Sequence, residues 1–311
     1  MTVRCVARAA RAARAARAAR VAVWLAVACA TSACSAEQKP SATPRAPSEA
    51  VLEVVATEYA FQSPDSVAPG RTVVRLKNLG RVVHELVLMK LKPGVPMDSL
   101  VALREKREGF RKFIDGGSAV LFAPPGALGD GELMVDFEPG RDYVVWCNFR
   151  DGEGKPMHSA LGMYRRIRVP KAPPTVAQAT PATAKVPVRD VVVLAGDYRF
   201  AVSDTLDAGA VELRIRNVGR MRHEVAFGRL KAGVSARAFL EQMQKGADID
   251  SLYDDDGAIV TAYPDDDNRT AIRAELRPGH EYIILCEFRD APGQPSHVEL
   301  GMSKGIVVRG N

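Results

Sequence analysis

The sequence predicts an all-β protein made of two tandem β-sandwich domains, each interrupted by a short helical excursion. Three observations predict it. The second half repeats the first at an offset of 139 residues, counted from His84 to His223. Each half consists of short runs rich in β-branched residues, punctuated by Pro-Gly pairs. Between the halves lies a Pro/Ala/Thr/Lys stretch, residues 170–189, with no apolar period, which reads as a linker. The 311 residues suit two domains at the usual ~100–200 residues each. A repeat this long means duplicated domains, since solenoid units run about 20–50 residues.

The chain opens on a leader. Arg4, Arg8, Arg11, Arg14, Arg17 and Arg20 precede an apolar run from Val21 to Ala30, and small residues then lead to Cys34. This is the layout of a secretory signal peptide, with an apolar run shorter than the ~20 residues that span a bilayer. Cys34, ahead of a Ser/Pro/Ala-rich tether over residues 35–50, resembles the lipidated cysteine of a bacterial lipoprotein, although Thr31 stands where that motif usually has Leu. Cys29 and plain cleavage near Ala33 are the alternatives. The expectation is an exported protein, in the periplasm or on the outer face of a membrane, held there by a lipid if Cys34 is modified. The formal charge of +6 comes from these leader arginines. The remainder carries equal numbers of basic and acidic residues, without the basic stripe that nucleic-acid binding requires.

The first domain is expected over 51–169 and the second over 190–311. In the first, strands are predicted at 52–56, 72–76, 84–88, 143–147 and 164–169, with turns at Pro69-Gly70 and Pro139-Gly140. Residues 97–113, and their counterpart around 236–244, have helical composition. Each domain then reads as a sandwich of about seven strands, with a helical excursion between the strand of His84 and the strand of Cys147.

The two copies agree most closely at residues that carry chemistry. Tyr59-x-Phe61 falls on Tyr198-x-Phe200, Asn78-x-Gly80 on Asn217-x-Gly219, and His84-Glu85 on His223-Glu224. Cys147-x-Phe149-Arg-Asp151 falls on Cys286-x-Phe288-Arg-Asp290, Pro156-x-His158 on Pro295-x-His297, and Leu161-Gly-Met163 on Leu300-Gly-Met302. In both copies the His, Cys, His and Met are separated by 62, 10 and 4 residues. A lone Cys in a strand is ordinarily a buried hydrophobe, a lone Met core filling, and a lone His a satisfied polar residue. Four such residues recurring at unchanged spacing need a common reason. Two imidazoles, one thiolate and a weak thioether are the ligand set of a blue-copper site. Cys147 and Cys286 are also the only cysteines beyond the leader, and a disulfide between them would have to join equivalent strands of two domains.

On these residues the chain resembles the cupredoxins, the plastocyanin and azurin superfamily. The resemblance covers residues 51–169 and 190–309. It implies Greek-key sandwiches, with His84, Cys147 and His158 as equatorial copper ligands and Met163 axial, and likewise His223, Cys286, His297 and Met302. That amounts to one copper per domain and two per chain. The loop from Cys to the second His is longer than in small plastocyanins, and the pairs Arg150-Asp151 and Arg289-Asp290 are candidates to brace it as ion pairs.

The function expected is one-electron transfer between partners in the cell envelope. Alternatives are copper capture and delivery to copper-exchanging proteins, or a metal-free interaction module. An oxidase or nitrite reductase ranks last, because five histidines cannot furnish two such sites plus a catalytic cluster, and no His-x-His occurs. Two charged regions stand apart from the ligands. Asp254–Asp256 and Asp265–Asp267 make an acidic patch, while Arg104, Lys106, Arg107, Arg111 and Lys112 make the matching region of the first copy basic. Both read as solvated surface, with steering of partners the functional version.

Overall fold

The computed structural model describes residues 49–103, 109–129, 131–172, 187–266 and 269–310, without side chains at 250, 255 and 256. The leader, Cys34, most of the tether and most of the linker lie outside the described residues.

The first repeat contributes β1 (Ala50–Thr57), β2 (Ala60–Gln62), β3 (Gly70–Asn78), β4 (His84–Leu91), β5 (Ile114–Ala123), β6 (Glu132–Phe137), β7 (Asp142–Trp146) and β8 (Tyr164–Arg168). The second contributes β9 (Arg189–Gly196), β10 (Arg199–Ala201), β11 (Thr205–Asp207), β12 (Gly209–Asn217), β13 (His223–Leu230), β14 (Tyr253–Ala262), β15 (Thr270–Leu276), β16 (Glu281–Leu285) and β17 (Ser303–Arg309). The all-β sandwich is therefore as expected, with eight and nine strands in place of about seven.

The strands alternate as a half-buried sheet requires. Leu52, Val54 and Ala56 of β1 face inward between exposed or half-buried neighbours. In β4 the alternation is lost, because both faces are covered. Leu86 and Leu88 point into the sandwich core, whereas Val87, Met89 and Leu91 pack with Leu100 and Trp146 under the helical excursion. Phe239 does the same in the second repeat, against Leu230, Ile283 and Leu285.

The helical segment is shorter than its composition suggests in the first copy. Helix α1 spans Met97–Val101, and Phe110–Phe113 forms a separate 3-10 turn. Gly109 just before it has φ +78°, a conformation no helical residue adopts, so the run cannot be one helix. In the second copy α2 spans Ala236–Gln244, and its Ser235 N-cap oxygen accepts from the Ala238 N–H at 3.1 Å.

The sheets do not stop at the repeat boundary. One has eight strands in the order β10-β9-β12-β15-β6-β3-β1-β2, the other nine in the order β11-β17-β16-β13-β14-β5-β4-β7-β8. Each is closed across the middle by an antiparallel pair, β6 with β15 and β5 with β14. Leu133 pairs with Ile272 and Val120 with Ile259, which are the same positions of the two copies at the 139-residue offset. A pseudo-twofold axis therefore passes through both seams, the isologous arrangement of a symmetric dimer, here within one chain. One buried cluster, containing Leu121, Leu133, Val260 and Ile272, runs through both repeats.

The charged regions bear on this seam. Asp266 accepts from the Gly117 N–H at 2.6 Å, and the Arg111 guanidinium lies 3.7 Å from the Tyr263 ring centre. These members of the two patches are thus structural ties between the repeats and not free surface.

Candidate metal centre

The candidate ligands of each copy meet at one end of the sandwich. His84 is the first residue of β4, and Cys147 follows directly on β7. The long loop folds back on itself. The His158 N–H donates to Phe149 O at 2.8 Å, Ser159 N–H to Cys147 O at 3.0 Å, Met163 N–H to His158 O at 2.9 Å, and Cys147 N–H to Met163 O at 3.2 Å. The second copy repeats this ladder, His297 to Phe288 at 2.8 Å, Val298 to Cys286 at 2.8 Å, Met302 to His297 at 2.8 Å, and Cys286 to Met302 at 3.2 Å. The loop's extra length is absorbed in a backbone-bonded turn. Glu85 Oε1 also accepts from Asn148 N–H at 2.8 Å, and Glu224 Oε1 from Glu287 N–H at 2.9 Å, tying the residue after each cysteine to β4 or β13.

The first histidine is held by the Asn-x-Gly motif. Asn78 is fully buried, and its amide donates to Val82 O at 2.8 Å and Ala123 O at 3.0 Å while its oxygen accepts from Gly80 N–H at 2.8 Å. Asn217 repeats all three contacts with Met221, Ala262 and Gly219. Glycine fits two residues on: a Cβ at Gly80 would press on His84 Nε2 and Asn78 Oδ1, each 3.1 Å away, and one at Gly219 would meet Asp197 Oδ1 at 2.4 Å.

The donor atoms converge as a result. His84 Nδ1 lies 3.2 Å from His158 Nδ1, which lies 3.5 Å from Cys147 Sγ. In the second copy the corresponding distances are 3.2 and 3.3 Å, and Cys286 Sγ is 4.0 Å from His223 Nδ1. Three donors around one metal at bond lengths of about 2.0–2.3 Å stand roughly 3.5–4 Å apart, so the spacing fits a single bound ion. All six side chains are buried, and both cysteines are free thiols. Met163 and Met302 are fully buried in the same cluster as the cysteines. Soft sulfur with two imidazoles is a donor set that suits copper. Each repeat is a β-sandwich with a His-Cys-His cluster at one pole.

Burial sets the electrostatics. Desolvation, reinforced by the neighbouring His158, lowers the His84 pKa to about 4, and burial beside His297 lowers that of His223. Burial pushes the Cys286 thiol up to about 12 and raises that of Cys147 as well. Without metal, burial therefore favours neutral imidazoles at His84 and His223 and protonated thiols at both cysteines, and a cation that binds must displace the thiol proton.

The second histidine has a partner that the ion-pair expectation did not assign. Asp151 Oδ1 lies 2.9 Å from His158 Nε2, and its other oxygen accepts from the Tyr59 hydroxyl. Asp290 lies 2.9 Å from His297 Nε2 and accepts from Tyr198 Oη at 2.6 Å. In the second copy Arg289 pairs with Glu299 at 2.9 Å, so Asp290 braces an imidazole and not its neighbouring guanidinium. The tyrosine hydroxyls hold both aspartates below the usual carboxylate range, and the aspartates push both tyrosines up. Both Asp and Tyr stood in the repeat alignment, and the signal that could have found their role was their recurrence beside the ligands.

No family model matches the chain, and no curated protein does. Among solved structures, the dithionite-reduced auracyanin of the photosynthetic bacterium Roseiflexus castenholzii is 20% identical, over 40% of this chain and 98% of that one, with a TM-score of 0.28. Auracyanin B is 19% identical over 40% and 91%, with a TM-score of 0.26. The blue copper oxidase of Nitrosomonas europaea is 13% identical over 84% and 85%, with a TM-score of 0.21.

Proposed function

We propose that the protein is a copper-binding electron carrier of the cell envelope with one mononuclear site in each repeat. The observation that carries this reading is the convergence of two imidazole Nδ1 atoms and one thiol within bonding reach of a common point, buried and present twice. When bound there, copper supplies one-electron exchange between Cu(I) and Cu(II). The residues do the rest. His84, Cys147, His158 and Met163 would hold the ion in a frame fixed by backbone hydrogen bonds, and His223, Cys286, His297 and Met302 would do the same in the second repeat. A frame fixed by hydrogen bonds keeps the ligands in place in both oxidation states, so little reorganisation accompanies transfer.

Burial of all the donors favours a site that keeps its metal over one that hands it on. Leu79 and Leu161 in the first copy are exposed, as are Val218 and Leu300 at the matching positions of the second. They lie in the loops carrying the two histidines and would give a redox partner protein an apolar place to dock. The fifth histidine, His280, lies against Leu230 O, outside both clusters, which weighs against a catalytic copper cluster. The Arg-rich leader and Cys34 support a location outside the cytoplasm, with a lipid anchor if Cys34 is modified.

The test is to load residues 35–311 with Cu(II), desalt, and measure metal content and visible absorption for the parent, Cys147→Ser and Cys286→Ser. Two coppers per chain with an intense thiolate-to-copper band, halved by each substitution, is the expected result. Colourless, copper-free protein would overturn it.

A further inference from the structure

We propose that Tyr59 with Asp151, and Tyr198 with Asp290, form a clamp that positions the second imidazole of each site and biases that site toward Cu(II). The inference rests on the copper reading and concerns residues that do not touch the metal.

Three observations carry it. First, the geometry is a chain, with the phenol on the carboxylate and the carboxylate on His Nε2, and it is built twice with matching 2.9 Å contacts. A carboxylate accepts only, so Nε2 must carry the hydrogen. In the neutral ring Nδ1 is then a bare lone pair, and Nδ1 is the atom that faces the cysteine sulfur and the other histidine. The aspartate thus selects the tautomer that can bind metal.

Second, the tyrosines are placed against the preference of the backbone. Each lies in a two-residue reversal between short strands, Thr57 pairing with Ala60 and Gly196 with Arg199. Their φ angles are +59° and +60°, and among the described residues only Asp265 is another non-glycine with positive φ. Glycine or asparagine fits such a turn far better. A strained residue recurring in both copies points to its side chain as the reason.

Third, that side chain does two things at once. The phenol bonds the carboxylate, and the ring packs edge-on against the imidazole, with centroids 5.0 Å apart in the first copy and 5.1 Å in the second. The ring therefore covers the edge of the histidine that would otherwise meet solvent, and it holds the aspartate in the one position that reaches Nε2. A carboxylate on a ligand's distal nitrogen makes that ligand a better donor, and the better donor favours the more highly charged Cu(II).

The experiment uses the leaderless chain, residues 35–311, with Asp151→Asn, Asp151→Ala and Tyr59→Phe, and Asp290→Ala as the matching change in the second repeat. Cu(II) and Cu(I) affinities and the potential of each site are measured, together with the 15N shifts of the His158 ring in metal-free protein. Asp151→Ala should weaken Cu(II) binding at the first site about 10–100-fold and leave Cu(I) binding nearly unchanged. The potential then rises by about 59 mV for each tenfold, and the His158 ring loses its Nε2–H preference. Tyr59→Phe should shift both in the same direction by less, and Asp151→Asn, which keeps an acceptor without the charge, should keep the tautomer and lose the affinity bias. An unchanged ratio of Cu(II) to Cu(I) affinity, or equal losses in both states with an unchanged tautomer, would overturn the clamp. Should the parent take up no copper, the carrier reading falls by itself. The Cu(II) bias then falls with it, and the ring shifts decide the positioning role alone, upheld if Asp151→Ala changes them and overturned if it does not.

Discussion

Because both sheets run unbroken across the seam, the two repeats should unfold as one unit, and Ile272→Ala is the sharpest perturbation of that unit. Ile272 is 1% exposed and pairs across the axis with Leu133, itself fully buried. Truncating a buried isoleucine to alanine costs about 2–5 kcal/mol through lost transfer energy and the cavity left behind. At about 3 kcal/mol, and roughly 2–4 °C per kcal/mol for a body of this size, the melting temperature should fall by about 6–12 °C. The sequence supplies a local reporter. The chain has two tryptophans, Trp24, ahead of the described residues, and Trp146 in the first repeat. In residues 35–311 the fluorescence therefore reports the first repeat alone, where Trp146 is buried and stacked on Tyr164. Far-UV circular dichroism reports both repeats. A mutation in the second repeat should lower the Trp146 transition and the dichroism transition together. If Trp146 melts at the parent temperature while part of the dichroism is lost earlier, the repeats are independent and the seam contributes little.

Other expectations follow from the same contacts. Metal-free protein should lose stability as pH falls, because His84 titrates at about 4 when folded against a reference of 6.5. Between those values the unfolded chain binds the proton and the folded chain does not. The contribution is therefore complete above pH 6.5 and disappears toward pH 4, a swing of about 3 kcal/mol that urea melts across the window would measure and His84→Gln would remove. Asn78→Ala deletes three buried hydrogen bonds at about 1 kcal/mol each. It should lower stability by about 3 kcal/mol and weaken metal uptake at the first site but not the second, as titration of the two Cys→Ser backgrounds would show. Gly117→Ala would set a Cβ 1.9 Å from the Thr261 carbonyl oxygen. That forces the nine-stranded sheet apart at the seam, and calorimetry should record a loss of about 3 kcal/mol or more.

What could be read ahead of the structure follows physical periodicity. The outer strands β1, β3, β4, β7 and β8 carry alternating or continuous apolar runs, and the clusters of His, Cys and Met were visible because two copies preserved one spacing. Strands β5 and β6 carry a weaker signal. Gly116 and Gly117 interrupt the apolar pattern of β5, and the helical composition of 97–113 runs straight into it. Those two strands, with their counterparts, make the seam, so the fusion of two sandwiches into shared sheets went unread. Edge strands pair through backbone N–H and C=O groups, which every sequence possesses. Only the register, Leu133 on Ile272 and Val120 on Ile259, reveals that the pairing is symmetric. Asp151 was similarly hidden, since an acid beside an arginine suggests a local ion pair while its true partner is a histidine seven residues on.

The pseudo-twofold axis also decides how the two candidate sites relate. His84 pairs with Ala123 at one end of β5, and His223 with Ala262 at one end of β14, and these two strands run antiparallel. The clusters consequently occupy opposite ends of the double sandwich. Three strand spacings across and about six residues along the strands put the two histidine Cα atoms roughly 25 Å apart. No ligand, and none of the residues bracing a ligand, is shared between them. Each pole has its own exposed apolar pair, Leu79 with Leu161 or Val218 with Leu300. If the sites carry electrons as proposed, two partner proteins would dock at once without meeting, and an electron taken up at one pole would not need to cross the seam. On the copper-carrier reading, the duplication would act as two independent carriers joined back to back, with the seam supplying the stability of one large core.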